Sequence, residues 1–337
     1  MTLELIGAPG SPYTRKMRSL LRYRRIPYLF KVRGSKHATD VPDIPVELIP
    51  ILVYPGAAGA APRAVIDSTP MLRELEKLYE DRHVVPGDPA LALVDALLED
   101  YGDEWLTKAM FHYRWSYRAD IDKAAQVLPL WRDVTFHGEE LEKLSNTIGE
   151  RQIERLWVVG SNDDTRAVIE DSYRRFLGLF DEHLATQPFL LGERPGSGDF
   201  GVFGQLTQLA QFDPTPMAVA EIDAPRVIAW CEVVEDLSGI EPGEWAPATE
   251  LSPTLRAILE EIGRVYVPFL LGNNAALEAQ SEEVRCEIDG REWKQRTFPY
   301  QAKCLRWLRS AHANLDEQDR ERFDGLIAGT GCEALFG

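Results

Sequence analysis

Four short runs near the start of the chain, residues 3–6, 28–32, 49–54 and 65–66, carry alternating or clustered apolar residues of strand type, while the stretches around them repeat at helical spacing. The first run ends at Gly7, and Ala8-Pro9-Gly10-Ser11-Pro12 supplies turn chemistry before a helix with Met17, Leu20 and Leu21 on its apolar face. That helix must stop before Ile26-Pro27, because the residue ahead of a proline disfavours helical angles. A polar stretch over 33–45 separates the second strand from the third, which Pro55-Gly56 closes. The fourth leads into a helix over 68–79 with Leu72, Leu75 and Leu78 on one side. The predicted order is β-α-β, a long connection, then β-β-α.

Beyond Val85-Pro86-Gly87-Asp88-Pro89, a linker by composition, strand signals nearly vanish. Helical spacing predicts helices over 90–117, 139–157, 164–184, 200–212 and 224–237. The last part of the chain differs: a helix over 253–266, a hairpin over 284–296 turning at Asp289-Gly290, then two more helices. Those helices carry Leu305, Trp307, Leu308 and Leu315, then Phe323, Leu326 and Ile327. Exposed together they would form a large apolar patch, so this tail is expected to pack on the helices before it. The expected division is 1–85 α/β, 90–250 all-helical, and 251–337 a packed extension.

With 337 residues, 45% hydrophobic and 27% charged, the chain has the balance of an ordinary globular protein with room for two cores. Its 54 acidic residues against 37 Lys and Arg give a net charge of -17, which repels a phosphate backbone and argues against nucleic acid as a partner. Arg15, Lys16, Arg18, Arg22, Arg24 and Arg25 cluster on the first helix; they read as a solvated face, or as a positive edge that draws in an anion. Cys231, Cys286, Cys304 and Cys332 are scattered without metal-ligand spacing, so reduced thiols and no metal are expected. The first residues lack a signal-peptide pattern, and no run approaches the ~20 apolar residues of a membrane span; no membrane association and a cytoplasmic location follow as expectations.

Two segments carry candidate chemistry on physical grounds. Ser11 precedes a helix start and Pro12 suits its first position, so a thiolate placed there meets free N–H groups and the positive end of the helix dipole. Asp67-Ser68 opens the next such helix, where a carboxylate accepts from the Ser68 N–H and hydroxyl while Asp67 pairs with an amino group. Each also has a plainer reading: Ser11 as an N-cap, and Asp67-Ser68 as a capping pair.

In their order, Gly10-Ser11-Pro12-Tyr13-Thr14, Leu48-Ile49-Pro50-Ile51-Leu52 and Ile66-Asp67-Ser68-Thr69-Pro70 resemble motifs of the glutathione-transferase superfamily. A fourth segment, Phe189 to Phe200, is similar to the one that opens a buried helix in that family's second domain, except that Gly196 stands where the family has a capping Ser or Thr. The resemblance covers roughly residues 1 to 245. It implies a thioredoxin-like α/β domain followed by an all-α domain, with glutathione as co-substrate. It assigns Ser11 as the catalytic hydroxyl, in one of the two positions where relatives carry CxxC. Ile49 would present its backbone to the tripeptide ahead of a cis Pro50, with Asp67 and Ser68 at the γ-glutamyl end. The implied activity is transfer to an apolar electrophile, or lyase or isomerase chemistry, because no cysteine stands at Ser11 to form a mixed disulfide. Tyr13, and Tyr101, Trp105 and His112 on one face of the long helix, would line the acceptor pocket, although core packing accounts for these aromatics equally well. A homodimer is implied too. The alternative is a non-catalytic protein that uses this scaffold for binding or assembly.

Overall fold

The structure, a computed structural model, describes residues 2–56 and 60–337. The first unit runs β1 (Leu3–Gly7), α1 (Pro12–Tyr23), β2 (Tyr28–Val32), β3 (Ile51–Tyr54), β4 (Arg63–Ile66) and α2 (Ser68–Leu78). Its strands lie in the order β2-β1-β3-β4, with β1 parallel to β2 and the other neighbours antiparallel. Strand alternation divides the sheet's side chains between two faces. Leu3, Leu5, Leu52 and Tyr54 join the main core with α1 and α2, while Ile6, Ile51 and Val53 pack under Ala38, Val41 and Ile44 of the long connection. The Ile49–Pro50 peptide is cis, and β3 begins just after it.

The second unit contains α3 (Pro89–Tyr101), a π-helical turn (Gly102–Leu106), α4 (Thr107–Ser116), α5 (Arg118–Leu130), α6 (Gly138–Ile153), α7 (Arg166–Leu184), α8 (Ser197–Leu209), α9 (Pro214–Asp223) and α10 (Pro225–Val234). The single helix expected over 90–117 is therefore interrupted. Gly102 sits so close to α8 that a Cβ there would lie 2.7 Å from the Val202 nitrogen. The sequence pattern missed α5, whose only buried residues are Asp120, Ala124 and Pro129, too few to make an apolar stripe. It also missed α9.

Helix α8 is buried along its whole length, and its start shows how the sequence departs from the family pattern. Gly196 has no side chain to cap the helix. Asp95 of α3 takes over, accepting from Ser197 N–H at 3.0 Å, Ser197 hydroxyl at 2.6 Å and Gly198 N–H at 2.9 Å. A Cβ on Gly196 would lie 2.4 Å from Asp95 Oδ1, so a capping Ser would collide with its own substitute. Asp199 still reaches back to the Gly196 N–H at 2.8 Å.

The tail forms α11 (Pro253–Glu278), the hairpin β5 (Glu283–Ile288) and β6 (Arg291–Arg296), α12 (Pro299–Ala313) and α13 (Glu317–Ile327). Helix α11 runs well past its expected end, through Pro268, a residue that costs about 3 kcal/mol inside a helix. Burial offsets that cost: Tyr266, Phe269 and Leu270 are fully buried, and Phe269 packs on Trp105 and Trp293. Helix α11 lies on α7, where Arg175 holds Glu261 through two hydrogen bonds of 2.9 Å, and α12 and α13 lie on α3. Leu305, Leu308, Phe323, Leu326 and Ile327 are buried, whereas Trp307 is more than a third exposed.

The basic cluster of α1 is neither a solvated face nor an anion-drawing edge. Arg15, Arg18 and Arg22 converge on Glu235, Arg25 pairs with Glu241, Arg24 with Glu76, and Lys16 is completely buried. Most of these cations tie the first unit to the second. Cys231, Cys304 and Cys332 are buried free thiols and Cys286 is a partly buried one. Among the described residues no helix is long and apolar enough to cross a membrane.

Candidate functional site

Where α2 begins, the helix leaves its own donors open. Asp67 sits at the N-cap with φ of 75°, a conformation that costs a non-glycine residue about 1–3 kcal/mol, and its side chain caps nothing. The N–H groups of Ser68 and Thr69 and the Ser68 hydroxyl have no partner among the described residues. Both residues line a cavity of about 550 Å³, bounded also by Leu48 and Ile49 ahead of the cis proline, by Tyr13 of α1, by α3 with the π turn, and by α12. This is the seam between both units and the tail.

Helix α1 reaches the same region differently. The Ser11 hydroxyl accepts from the Thr14 N–H at 3.3 Å, which makes Ser11 the N-cap of its own helix. The Trp131 ring sits against Gly10, and Arg114 donates to the Gly10 carbonyl at 3.0 Å. Ser11 is half-buried and does not line the cavity. Tyr13 does, with its hydroxyl donating to the Asp103 carbonyl at 2.9 Å. Burial, reinforced by Glu104 and Asp103, pushes the Tyr13 phenol well above its ordinary value and keeps it protonated.

The cavity's helical wall is acidic. Glu99, Asp100, Asp103 and Glu104 all line it, a consequence of their spacing on one helical face carried through the π turn. Lys16, buried behind them, lies 2.7 Å from Glu99 and 2.5 Å from Asp103, and Arg73 of α2 lies 2.7 Å from the other Glu99 oxygen. Thr69 donates to Glu99 at 3.1 Å. Burial alone would raise Glu99, but Lys16 and Arg73 outweigh it and hold that carboxyl below its usual range. Burial pushes Asp100 up to about 7 and, with repulsion from Asp100 and Asp103, Glu104 up to about 8.

Of the residues expected in the site, Tyr13, Ile49, Asp67 and Ser68 come together around one cavity. Pro50 adjoins Ile49 without lining it, and Ser11 stands off it. Tyr101, Trp105 and His112 do not line the cavity. Tyr101 and Trp105 pack against Tyr266 in the core, Trp105 bonds Ser172, and His112 is held by Ser161 at 2.7 Å and Glu170 at 3.1 Å. The tail helix α11 claims the face that the sequence offered to an acceptor. Sequence reasoning expected α12 as a packing helix and did not place it at the cavity, to which it brings Tyr300, Gln301 and Cys304; the Tyr300 hydroxyl donates to Asp67 Oδ2 at 2.8 Å. No sequence signal ties residue 300 to residue 67. The acids at 99, 100, 103 and 104 were visible as a pattern, on a helix read for its aromatics alone.

Residues 5–83 match the family model described as glutathione S-transferase, N-terminal domain, and residues 153–232 match glutathione S-transferase, C-terminal domain. No curated protein matches the chain. Similar solved structures include a glutathione S-transferase from Methylobacterium radiotolerans in complex with glutathione sulfonate, at 18% identity over 72% of this chain and 96% of that one, with a TM-score of 0.42. A glutathione transferase family member from Pseudomonas fluorescens with two glutathione bound is similar at 16% identity, over 68% and 86% of the two chains, with a TM-score of 0.43. A GST-like protein from Pseudomonas syringae shares 18% identity over 78% of this chain and 74% of its own, with a TM-score of 0.42. Both matched segments end before α11 begins.

Proposed function

From a chain that belongs to the glutathione S-transferase superfamily, we propose a glutathione-dependent transferase that uses the groove between Ile49 and α2 for the tripeptide and the adjoining cavity for an electrophile. One observation carries this reading: Ile49, Asp67, Ser68 and Thr69 line a single cavity, at the start of a helix whose first donors are open, with Val158, Phe298 and Leu308 also in its wall. A γ-glutamyl carboxylate fits the helix N-terminus, and its ammonium fits Asp67. The cysteinyl sulfur, as thiolate, then attacks the electrophilic carbon: a C–S bond forms, the leaving group departs with its bonding pair, and the thiol proton passes to solvent.

Ser11 is the proposed donor to that thiolate. Its oxygen accepts from Thr14, which leaves its own proton free, whereas the Tyr13 proton is already given to the Asp103 carbonyl. Retention on immobilised glutathione, with glutathione-dependent turnover of an aryl halide that Ser11→Ala depresses, is the expected result. Full activity in Ser11→Ala removes Ser11 from the mechanism; absence of both retention and turnover removes the reading. A two-fold dimer and a cytoplasmic location belong to the same proposal, and sedimentation checks the first.

A second reading has one observation in its favour. The Tyr300 hydroxyl already occupies Asp67, as a tail that closes the groove in a non-catalytic binding protein would. Retention without turnover of any electrophile favours it.

A further inference from the structure

The four acids on the cavity's helical wall fall into two sets. Glu99 and Asp103 have Lys16, and Glu99 has Arg73 as well. Asp100 and Glu104, four residues apart, line the cavity and stand in no ion pair among the described residues; Glu104 is buried and Asp100 half-buried. Asp100 accepts from neutral groups, the Tyr266 hydroxyl at 2.6 Å and the Cys304 thiol. Lys108, which also lines the cavity, lies one turn beyond Glu104 and forms no ion pair with it. Its Nζ donates to the Val159 carbonyl at 3.2 Å and Gln295 Oε1 at 3.0 Å, with the Phe269 ring 3.9 Å away.

A separate observation points the same way. Gln301 of α12 lines the cavity and is 97% buried, with 3% of its surface exposed. Its Nε2 donates to the Glu104 carbonyl at 3.4 Å, and its Oε1 has no partner. A buried acceptor left without a donor is costly, so an orphan beside two carboxyls that stand in no ion pair marks a place where a donor belongs. That donor set excludes several ligands. Among the described residues no group of three His, Cys, Asp or Glu is arranged to hold a metal ion, and an anion placed here would meet the Asp100 and Glu104 carboxyls. An ammonium group offers three donors and one positive charge.

Resting on the transferase reading, we infer that the electrophile taken by this cavity is an amine: an apolar compound whose ammonium lies among Asp100, Glu104 and Gln301 Oε1 and whose body lies against Val158, Phe298 and Leu308. The cavity volume of about 550 Å³ accommodates a small aryl-alkyl amine alongside part of a tripeptide.

The test uses the full chain and three calorimetric titrations, with S-methylglutathione, 3-phenylpropylamine and 3-phenylpropan-1-ol. The amine should bind at least about tenfold tighter than the alcohol. Glu104→Gln should erase most of that preference and leave the alcohol's affinity unchanged; Gln301→Leu, on a different element, should reduce the preference to a smaller degree. Melting curves establish that each variant is folded, and Gln301→Leu carries the test if Glu104→Gln is not. Equal binding of amine and alcohol, or a preference that survives both substitutions, overturns the inference. S-methylglutathione separates the two ideas. If it binds while the amine shows no preference, the amine inference fails and the transferase reading stands; if it fails to bind while the amine is preferred, the tripeptide groove fails and the ammonium pocket stands.

Discussion

Helices α1 and α2 start alike and end in different roles. Each follows a strand of the same sheet, each has a serine at its start, and each sends a cation to Glu99, Lys16 from α1 and Arg73 from α2. At α1 the serine satisfies its own helix, and Trp131 sits over the preceding Gly10. At α2 the first donors stay open, the N-cap residue is held at positive φ, and the cavity lies in front. A hydroxyl at a helix start is thus a cap or a binding group according to what its own helix leaves unsatisfied, and spacing alone does not tell the two apart.

The largest test of this comparison removes the cation that α1 contributes. Lys16 is fully buried between Glu99 and Asp103, so Lys16→Met leaves two buried carboxylates with Arg73 alone and should cost about 3–5 kcal/mol in urea unfolding. Arg73→Met, on a side chain one-third exposed, should cost clearly less. Equal losses would break the asymmetry between the helices.

Acid sharpens it further. Because Glu99 is held below its unfolded value of 4.5, its contribution is fully present above that pH and is lost as pH falls through the lower folded value. Between pH 5 and 3 the wild type should lose on the order of 2 kcal/mol through this group. Lys16→Met should lose much less over the same window, and identical acid profiles would show that Lys16 does not hold Glu99 down.

The two serines should separate stability from binding. Ser68→Ala should weaken glutathione by about 1–2 kcal/mol, through loss of a bond to a charged carboxylate, with unfolding unchanged. Ser11→Ala should cost about 1 kcal/mol of stability as a lost cap, lower turnover, and change glutathione affinity little. Reversed outcomes would exchange the roles of the two helices. The smallest effect is expected from Tyr300→Phe. Releasing Asp67 should strengthen glutathione binding by ~0.5–1 kcal/mol if Tyr300 competes for that carboxylate, and calorimetry showing weaker binding would make Tyr300 part of the groove instead.

The chain's own patterns determined the order of strands and helices in the first unit, the helical second unit and the hairpin at Asp289-Gly290, because these rest on local periodicity and turn chemistry that neighbours reinforce. The motifs at Ile49, Asp67 and Ser68 were legible for the same reason: each is a short segment at an element boundary. Tertiary structure decided everything that depends on two distant segments competing for one surface. Tyr101, Trp105 and His112 looked equally suited to a pocket and to a core, and α11 and the α7 region settled the choice by burying them. Gly196 read as a missing cap until Asp95, 101 residues earlier by their numbering, supplied the acceptor. Four acids within six residues were one pattern in the sequence; which became ion-paired and which stayed bare depended on Lys16 and Arg73 arriving from α1 and α2. Charge and hydroxyl groups announce their chemistry in sequence, but their partners are long-range contacts, and the partners decide what that chemistry does.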